Sequence, residues 1–461
     1  MNTDLIKLFQ STITEKATPT FCALPWIHMA TRPNGDMRLC CSANASGAGS
    51  DHTVGLVKQE NGTAINFSNT TPMEAWNSEY MKDVRKTMMA GKIPASCTKC
   101  FDEESKGVVS KRMWETGTWM ERGHVNPSDL LNETHKDGYY KEELKYLDLR
   151  LGHTCNIKCV MCSPHDSSKW VQDWKILYPR LEDSEVARQM QWDKGSFNNK
   201  WHENEEFWNQ LYKQIPNLKE VYFAGGEPLM IKEHKKFIQE IVKSGYNKNI
   251  RLRYNTNGIL VDEELIDLWR NFDLVKVGVS IDAAGARNNY IRYPTDWSTV
   301  ERNLHMLDNT PDNIRPSIAT AIQIFNIKHL PDFIHWKISQ DFRKVNTEEI
   351  RGVQAGGGLI NMHLLYIPTF LSIQILPKED KQEIRELFGK FKNYLKDNYD
   401  SDSTFWEHNP YGWRRWEAIL NHMDAADNSH LLSGFKEYVT KLDAIRGVSA
   451  KNIFPELAHL L

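Results

Sequence analysis

The placement of cysteine constrains this chain more than any other feature of its sequence. The 461 residues include eight cysteines, and they fall into three groups: Cys22 with Cys40 and Cys41, then Cys97 with Cys100, then Cys155, Cys159 and Cys162. None follows Cys162. Thiols buried for packing alone would be scattered. Grouped thiols in a large chain that needs no disulfides point to metal or redox chemistry in a reducing compartment. The N-terminal MNTDLIKLFQ lacks the basic start, long apolar core and small-residue cleavage site of a secretory signal. No run approaches the roughly 20 apolar residues of a membrane helix. A cytoplasmic location without a membrane partner is the expectation. With 57 basic and 60 acidic residues, the net charge of −3 gives no reason to expect a nucleic-acid partner.

The last group reads C-x3-C-x2-C, directly after a strand-like run in YLDLRLGHTCNIKCVMC. Soft thiolates suit iron–sulfur clusters, and three of them leave one iron of a four-iron cluster without a protein ligand. A small molecule can chelate at such an iron and receive an electron. The same residues leave a zinc site open, with His153 or His165 as the fourth ligand.

From Leu144 onward, strand-like runs alternate with helical ones. The candidate strands are Lys145–Leu151, Glu220–Ala224, Arg251–Thr256, Leu274–Ile281, Ser317–Ile324 and one or two within Leu359–Leu376. Six such units predict an α/β fold, a partial (β/α)6 TIM-like barrel with its functional residues at the C-terminal ends of the strands. The expected organisation is a small α+β module over 1–120, a polar connector over 121–143, the barrel core over 144–376 with a helical insertion at 163–216, and a helical region over 377–461. Within the module, Asn34-Gly35 predicts a hairpin across Trp26–Cys41, and a polar loop follows at Asn44–Asn69. Thr71, Pro72 and Glu74 form a capping box for a helix running to about Met89 and stopping near Gly91, and a second helix is expected after Cys100.

The C-x3-C-x2-C loop resembles the cluster loop of the radical S-adenosylmethionine (SAM) superfamily. So do three later strand ends. VYFAGGEPL at Val221–Leu229 resembles the family's GGEP motif, YNTNG at Tyr254–Gly258 its third strand end, and GVSIDAAG at Gly278–Gly285 its fourth. The resemblance implies a SAM-binding [4Fe–4S] cluster on Cys155, Cys159 and Cys162. Gly225, Gly226, Glu227 and Pro228 would present backbone groups to the SAM amino group, and Asn257 would face the cofactor. Ser280 would bind the SAM carboxylate or ribose, and Arg292 in YIRYP would pair with the carboxylate. It further implies reductive cleavage of SAM to methionine and a 5′-deoxyadenosyl radical that takes a hydrogen atom from substrate.

CALPWIHMATRPNGDMRLCC, with its C-x12-G-x4-C spacing and Gly35 inside, resembles the opening of the SPASM and twitch modules, which bind auxiliary iron–sulfur clusters. The implied ligands of an auxiliary [4Fe–4S] cluster are Cys22, Cys40, Cys97 and Cys100, and the cysteine count favours a single cluster. The module here precedes the barrel, whereas the family usually has it after, and its cysteine pairs lie far apart. Without the family context, four such cysteines would equally suit zinc. Strand alternation puts Cys40 and Cys41 on opposite faces, so Cys40 is expected as ligand and Cys41 in the core with Met37 and Leu39.

Enzymes with such modules mostly act on peptides or proteins, so a peptide or protein substrate is the leading expectation. The rivals are radical oxidation or rearrangement of a small molecule (a sugar, cyclitol or cofactor precursor) and a non-catalytic iron–sulfur protein for electron transfer or sensing. An external one-electron donor such as flavodoxin or ferredoxin is implied. Trp170 and Trp174, four residues apart, are expected to pack a helix onto the barrel. His28 should pack in the hairpin, and Asp443 with Arg446 should form a surface or interdomain pair.

Overall fold

The computed structural model describes residues 9, 11–13, 15–43, 55–192, 200–345, 358–409 and 412–461. The first eight residues, much of the expected polar loop (44–54) and part of the insertion (193–199) lie outside them. The chain divides into two compact units. The first comprises 1–152, 195–225 and 232–251, and the second 153–194, 226–231 and 252–461.

In the first unit, β1 (His28–Thr31) and β2 (Met37–Arg38) form the expected hairpin, with Ala30 opposite Arg38. Gly35 closes the turn at φ +90°, and a Cβ there would lie 2.6 Å from the Trp201 ring, so both the backbone and the packing require glycine. The hairpin is not separate from the barrel strands. β1 pairs in parallel with β3 (Tyr146–Arg150), and β3 pairs in parallel with β4 (Glu220–Ala224). Alternation in YLDLR puts Leu147 and Leu149 on one fully buried face.

The capping box at Thr71 forms as expected, but the helix it starts does not reach Met89. It covers only Pro72–Trp76, and a second helix, Glu79–Met89, begins after Ser78 caps it. Asn77 breaks the run because its side chain bonds both the N–H and the C=O of Tyr140. The buried Arg85 guanidinium then donates to the carbonyls of Pro25, Trp76 and Gly138 and ties these segments together. The helix expected after Cys100 instead contains it, at Thr98–Ser105, and Lys111–Glu121 follows.

In the second unit, β6 (Leu274–Ser280), β7 (Ile314–Ile322) and β8 (Asn361–Leu364) pair in parallel, and β5 (Arg251–Thr256) enters it from Leu252. Val275, Val277 and Val279 alternate onto a buried face. β7 starts earlier than expected, and Leu359–Leu376 supplies one strand followed by two 3-10 turns, Thr369–Leu371 and Ile373–Ile375. Helices alternate with these strands and then fill the C-terminal region from Lys378. The eight strands are mostly parallel, and the class is α/β with the strand–helix order of a partial barrel. No helix among the described residues is long and apolar enough to cross a membrane.

Candidate metal centres

Four thiols of the first unit, Cys22, Cys40, Cys97 and Cys100, line one cavity with Leu24 and Met88. A buried arginine organises it. Arg112 pairs with Glu104 on the helix that carries Cys100, and its Nη1 donates to the Phe21 carbonyl beside Cys22 at 2.9 Å. Thr116, on the same helix as Arg112, accepts the Ala23 N–H at 3.1 Å. Burial, then neighbouring Cys97, pushes the Cys22 thiol up, and burial, then Cys40, pushes Cys97 up to about 12. Four thiols around one cavity, with burial favouring their neutral form, suit a cluster whose binding is coupled to deprotonation. Cys41 is not on the lining, and it is half-buried rather than in the core. The alternation argument for it does not apply, because β2 ends at Arg38 and Cys40 opens a turn to Ala43. Expected outcome: Cys40→Ala loses the auxiliary iron, about four atoms, and Cys41→Ala keeps it, read by iron counting on each purified variant.

Cys155, Cys159 and Cys162 lie in the second unit on a loop held on many sides. Cys155 and Cys159 are buried with Ile157, and Met161, Cys162 and Ile259 pack against them. The Trp170 indole donates to the Cys159 carbonyl at 2.7 Å, Ser167 donates to that of Ile157, and the Lys158 and Val160 amides bond the carbonyls of Tyr293 and Ile291. Trp170 is buried but also fixes the loop, which spacing alone gave no sign of, while Trp174 is half-buried and stacks on Tyr178. A hydrogen bond from Cys162, and against burial the Arg292 charge, draw Cys159 below the ordinary thiol range; the same bond and burial push Cys162 up. Cys155 is pushed up to about 12 by burial. Buried, mutually sensitive thiols of this kind fit an iron–sulfur cluster. Among the described residues, no three ligating side chains are gathered as tightly as the ligands of a single ion. His153, a candidate fourth ligand for zinc, has its Nδ1 at 2.8 Å from the Pro164 carbonyl, which leaves Nε2 as its ligating atom.

Gly226, Glu227, Asn257 and Arg292 adjoin this loop. Gly225 has φ +122°, and a Cβ on Gly226 would lie 2.4 Å from the Thr154 carbonyl oxygen. The Glu227 N–H donates to that oxygen at 2.8 Å. The Glu227 carboxylate is almost fully buried and accepts from Thr256 Oγ1 (2.8 Å), the Asn257 N–H (2.8 Å) and the Leu229 N–H (3.1 Å). Burial, against these bonds, pushes it up to about 7. Pro228 opens a 3-10 turn, and Asn257 Nδ2 donates to Asn156 Oδ1 at 2.6 Å, next to Cys155. Ser280 ends β6, and beyond it the buried Asp282 pairs with Arg292 Nε at 2.9 Å. Arg292 Nη1 lies 3.9 Å from Cys159 Sγ. The structure thus bonds Glu227 and Asn257 to the Cys155 end of the loop and brings Arg292, held by Asp282, beside Cys159; Gly225, Pro228 and Ser280 make no such bond to it among the described residues.

Residues 149–336 match the family model described as the radical SAM superfamily, and residues 22–101 match the SPASM model, described as an iron–sulfur cluster-binding domain. Among curated relatives, an uncharacterised protein of Methanocaldococcus jannaschii is 20% identical over 55% of this chain and 74% of its own length. The Fe-coproporphyrin III synthase of Methanosarcina barkeri is 23% identical over 45% of this chain, which spans only 47% of that relative. A solved structure of Streptococcus suis SuiB bound to S-adenosylmethionine is 12% identical, with a TM-score of 0.34, over 73% of this chain and 67% of that one. The matched domains bring with them SAM, a SAM-binding [4Fe–4S] cluster and an auxiliary iron–sulfur cluster. The chain thus carries a radical SAM domain at 149–336 and, ahead of it, a SPASM domain at 22–101.

Proposed function

We propose that this enzyme cleaves SAM reductively at the Cys155–Cys162 loop and uses the radical so formed to abstract hydrogen from a peptide or protein. The observation that carries this reading is the direct bonding of the GGEP turn to the three-cysteine loop, Glu227 N–H to Thr154 C=O at 2.8 Å. Cys155, Cys159 and Cys162 would hold the SAM-binding cluster, which when bound supplies the electron that breaks the sulfonium bond to give a 5′-deoxyadenosyl radical. The chain's own part is binding, orientation and exclusion of water and quenching hydrogens. Gly225 and Gly226 lack side chains because a Cβ would meet the backbone at Gly152 or Thr154, and their backbone groups would be the partners of SAM's amino group. Glu227 is fully committed to the ends of its own and the next strand, and so fixes the turn without touching ligand. Ser280 is the candidate for the SAM carboxylate or ribose, and Arg292 for the carboxylate.

Cys22, Cys40, Cys97 and Cys100 would hold the auxiliary cluster. Four protein ligands close that cluster to substrate, which suits electron transfer rather than ligation of a substrate atom. An external one-electron donor such as flavodoxin or ferredoxin would supply both clusters. The peptide reading is supported by the SPASM match. A small-molecule substrate is the second reading, favoured by the coproporphyrin synthase among the relatives.

Anaerobic reconstitution tests the proposal. The protein should bind about eight iron atoms per chain and, once reduced with dithionite, form 5′-deoxyadenosine from SAM. Four or fewer irons without 5′-deoxyadenosine would contradict it, and zinc in place of iron would restore the scaffold alternative.

A further inference from the structure

The helix Leu432–Arg446 is far from the cysteine loop in sequence and joined to it in space. The Tyr438 hydroxyl donates to the Val160 carbonyl at 2.7 Å across 278 residues of chain, and Arg446 Nη2 donates to the Lys158 carbonyl at 2.8 Å across 288. Arg446 Nε also donates to Asp173 Oδ2 at 2.8 Å, while Lys158 Nζ donates to the other oxygen of the same carboxylate. The guanidinium lies over the Trp170 and Tyr293 rings, with 4.8 and 5.0 Å to their centroids. Tyr438 and Arg446 are eight residues apart and share a helix face. The helix itself is fixed, because Asp443 accepts from the Tyr290 hydroxyl at 2.8 Å and from the Ala450 N–H at 2.6 Å. Asp443 and Arg446 are thus not the surface or interdomain pair expected from sequence. Each has its own partner, and Arg446 is buried.

Ser167 and Trp170 take the carbonyls of Ile157 and Cys159. The C-terminal helix takes the two between and beside them, Lys158 and Val160, so all four successive carbonyls of the loop are held by side chains. A cluster with only three protein ligands depends on the rigidity of the loop that supplies them. We propose that Tyr438 and Arg446 are positioning residues of the SAM-binding centre, holding the Cys155–Cys162 loop in its ligating form and setting the charge beside Cys159. This rests on the cluster reading above.

The test uses reconstituted full-length protein and a ferrous chelator under anaerobic conditions, where iron should leave in two phases, one per cluster. In Tyr438→Phe and Arg446→Met, the phase belonging to the SAM cluster should quicken about five- to ten-fold, the effect of roughly one hydrogen bond, while the auxiliary phase stays unchanged. Arg446→Met should also move the SAM cluster's midpoint potential to a more negative value, because a cation bonded next to Cys159 is lost. Arg446→Lys keeps the charge without the planar fork and should restore the potential but not the slow chelation. Equal acceleration of both phases, or no change in either variant, would overturn the inference. A wild-type protein that holds no iron through Cys155, Cys159 and Cys162 would instead show that the cluster reading itself is wrong.

Discussion

Alanine at Cys155, Cys159 or Cys162 is expected to remove about four of eight iron atoms and to reduce SAM cleavage to background, leaving the auxiliary cluster in place. Each of the three thiolates would hold one iron, and Arg292, beside Cys159, is a cation paired with Asp282 that cannot replace one. With two thiolates, a four-iron cluster would have two irons open and would be lost to chelators or oxygen. The measurement is iron and acid-labile sulfide per chain together with 5′-deoxyadenosine formed after reduction. Retention of about eight irons by any of the three variants would reject that residue as a ligand.

Glu227→Ala is the second large effect. Its carboxylate satisfies two backbone N–H groups and the Thr256 hydroxyl in a buried site, so truncation orphans three donors. At about 1–3 kcal/mol for each buried unpaired group, and with partial relief by entering water, a loss of about 3–5 kcal/mol is expected in denaturant unfolding. SAM affinity should fall with it, since the turn would no longer be tied to the end of β5. A loss below about 1 kcal/mol, the size of one ordinary hydrogen bond, would show the carboxylate to be dispensable. Glu227→Gln addresses the charge. The folded pKa, about 7, lies above the ordinary carboxylate value, so the folded chain binds the extra proton between them. Stability from this group is therefore greatest at low pH, falls as pH rises through that window, and is level above about 7. The glutamine variant should lack that slope.

The chemistry of the site was legible because its motifs are local. C-x3-C-x2-C and GGEP each sit within a few residues of a strand end, and the strand Glu220–Ala224 has its expected boundaries because a short β-branched and aromatic run stops at the glycine turn. The hairpin at Asn34-Gly35 and the capping box at Thr71 were legible for the same reason. Contacts made across long stretches of chain were not. Nothing in HMAT says that β1 lies beside β3, because parallel pairing leaves no turn to read. The break at Asn77 depends on Tyr140, and the support of the cysteine loop depends on Trp170, Tyr438 and Arg446. Each of those three residues has a plausible role in ordinary packing, and only the carbonyl it meets reveals more. Arg112 is a similar case at the auxiliary centre, where one guanidinium joins the Cys22 segment to the helix carrying Cys100.

The most direct test of the three-cysteine centre is the electron paramagnetic resonance spectrum of the reduced Cys40→Ala protein, with and without SAM. With the auxiliary centre disabled, a single [4Fe–4S]+ signal should remain, and adding SAM should change its g values as the ligand binds the iron that carries no thiolate. A full-intensity signal that SAM leaves untouched would mean that no iron is open to it, and the account of this site would be contradicted.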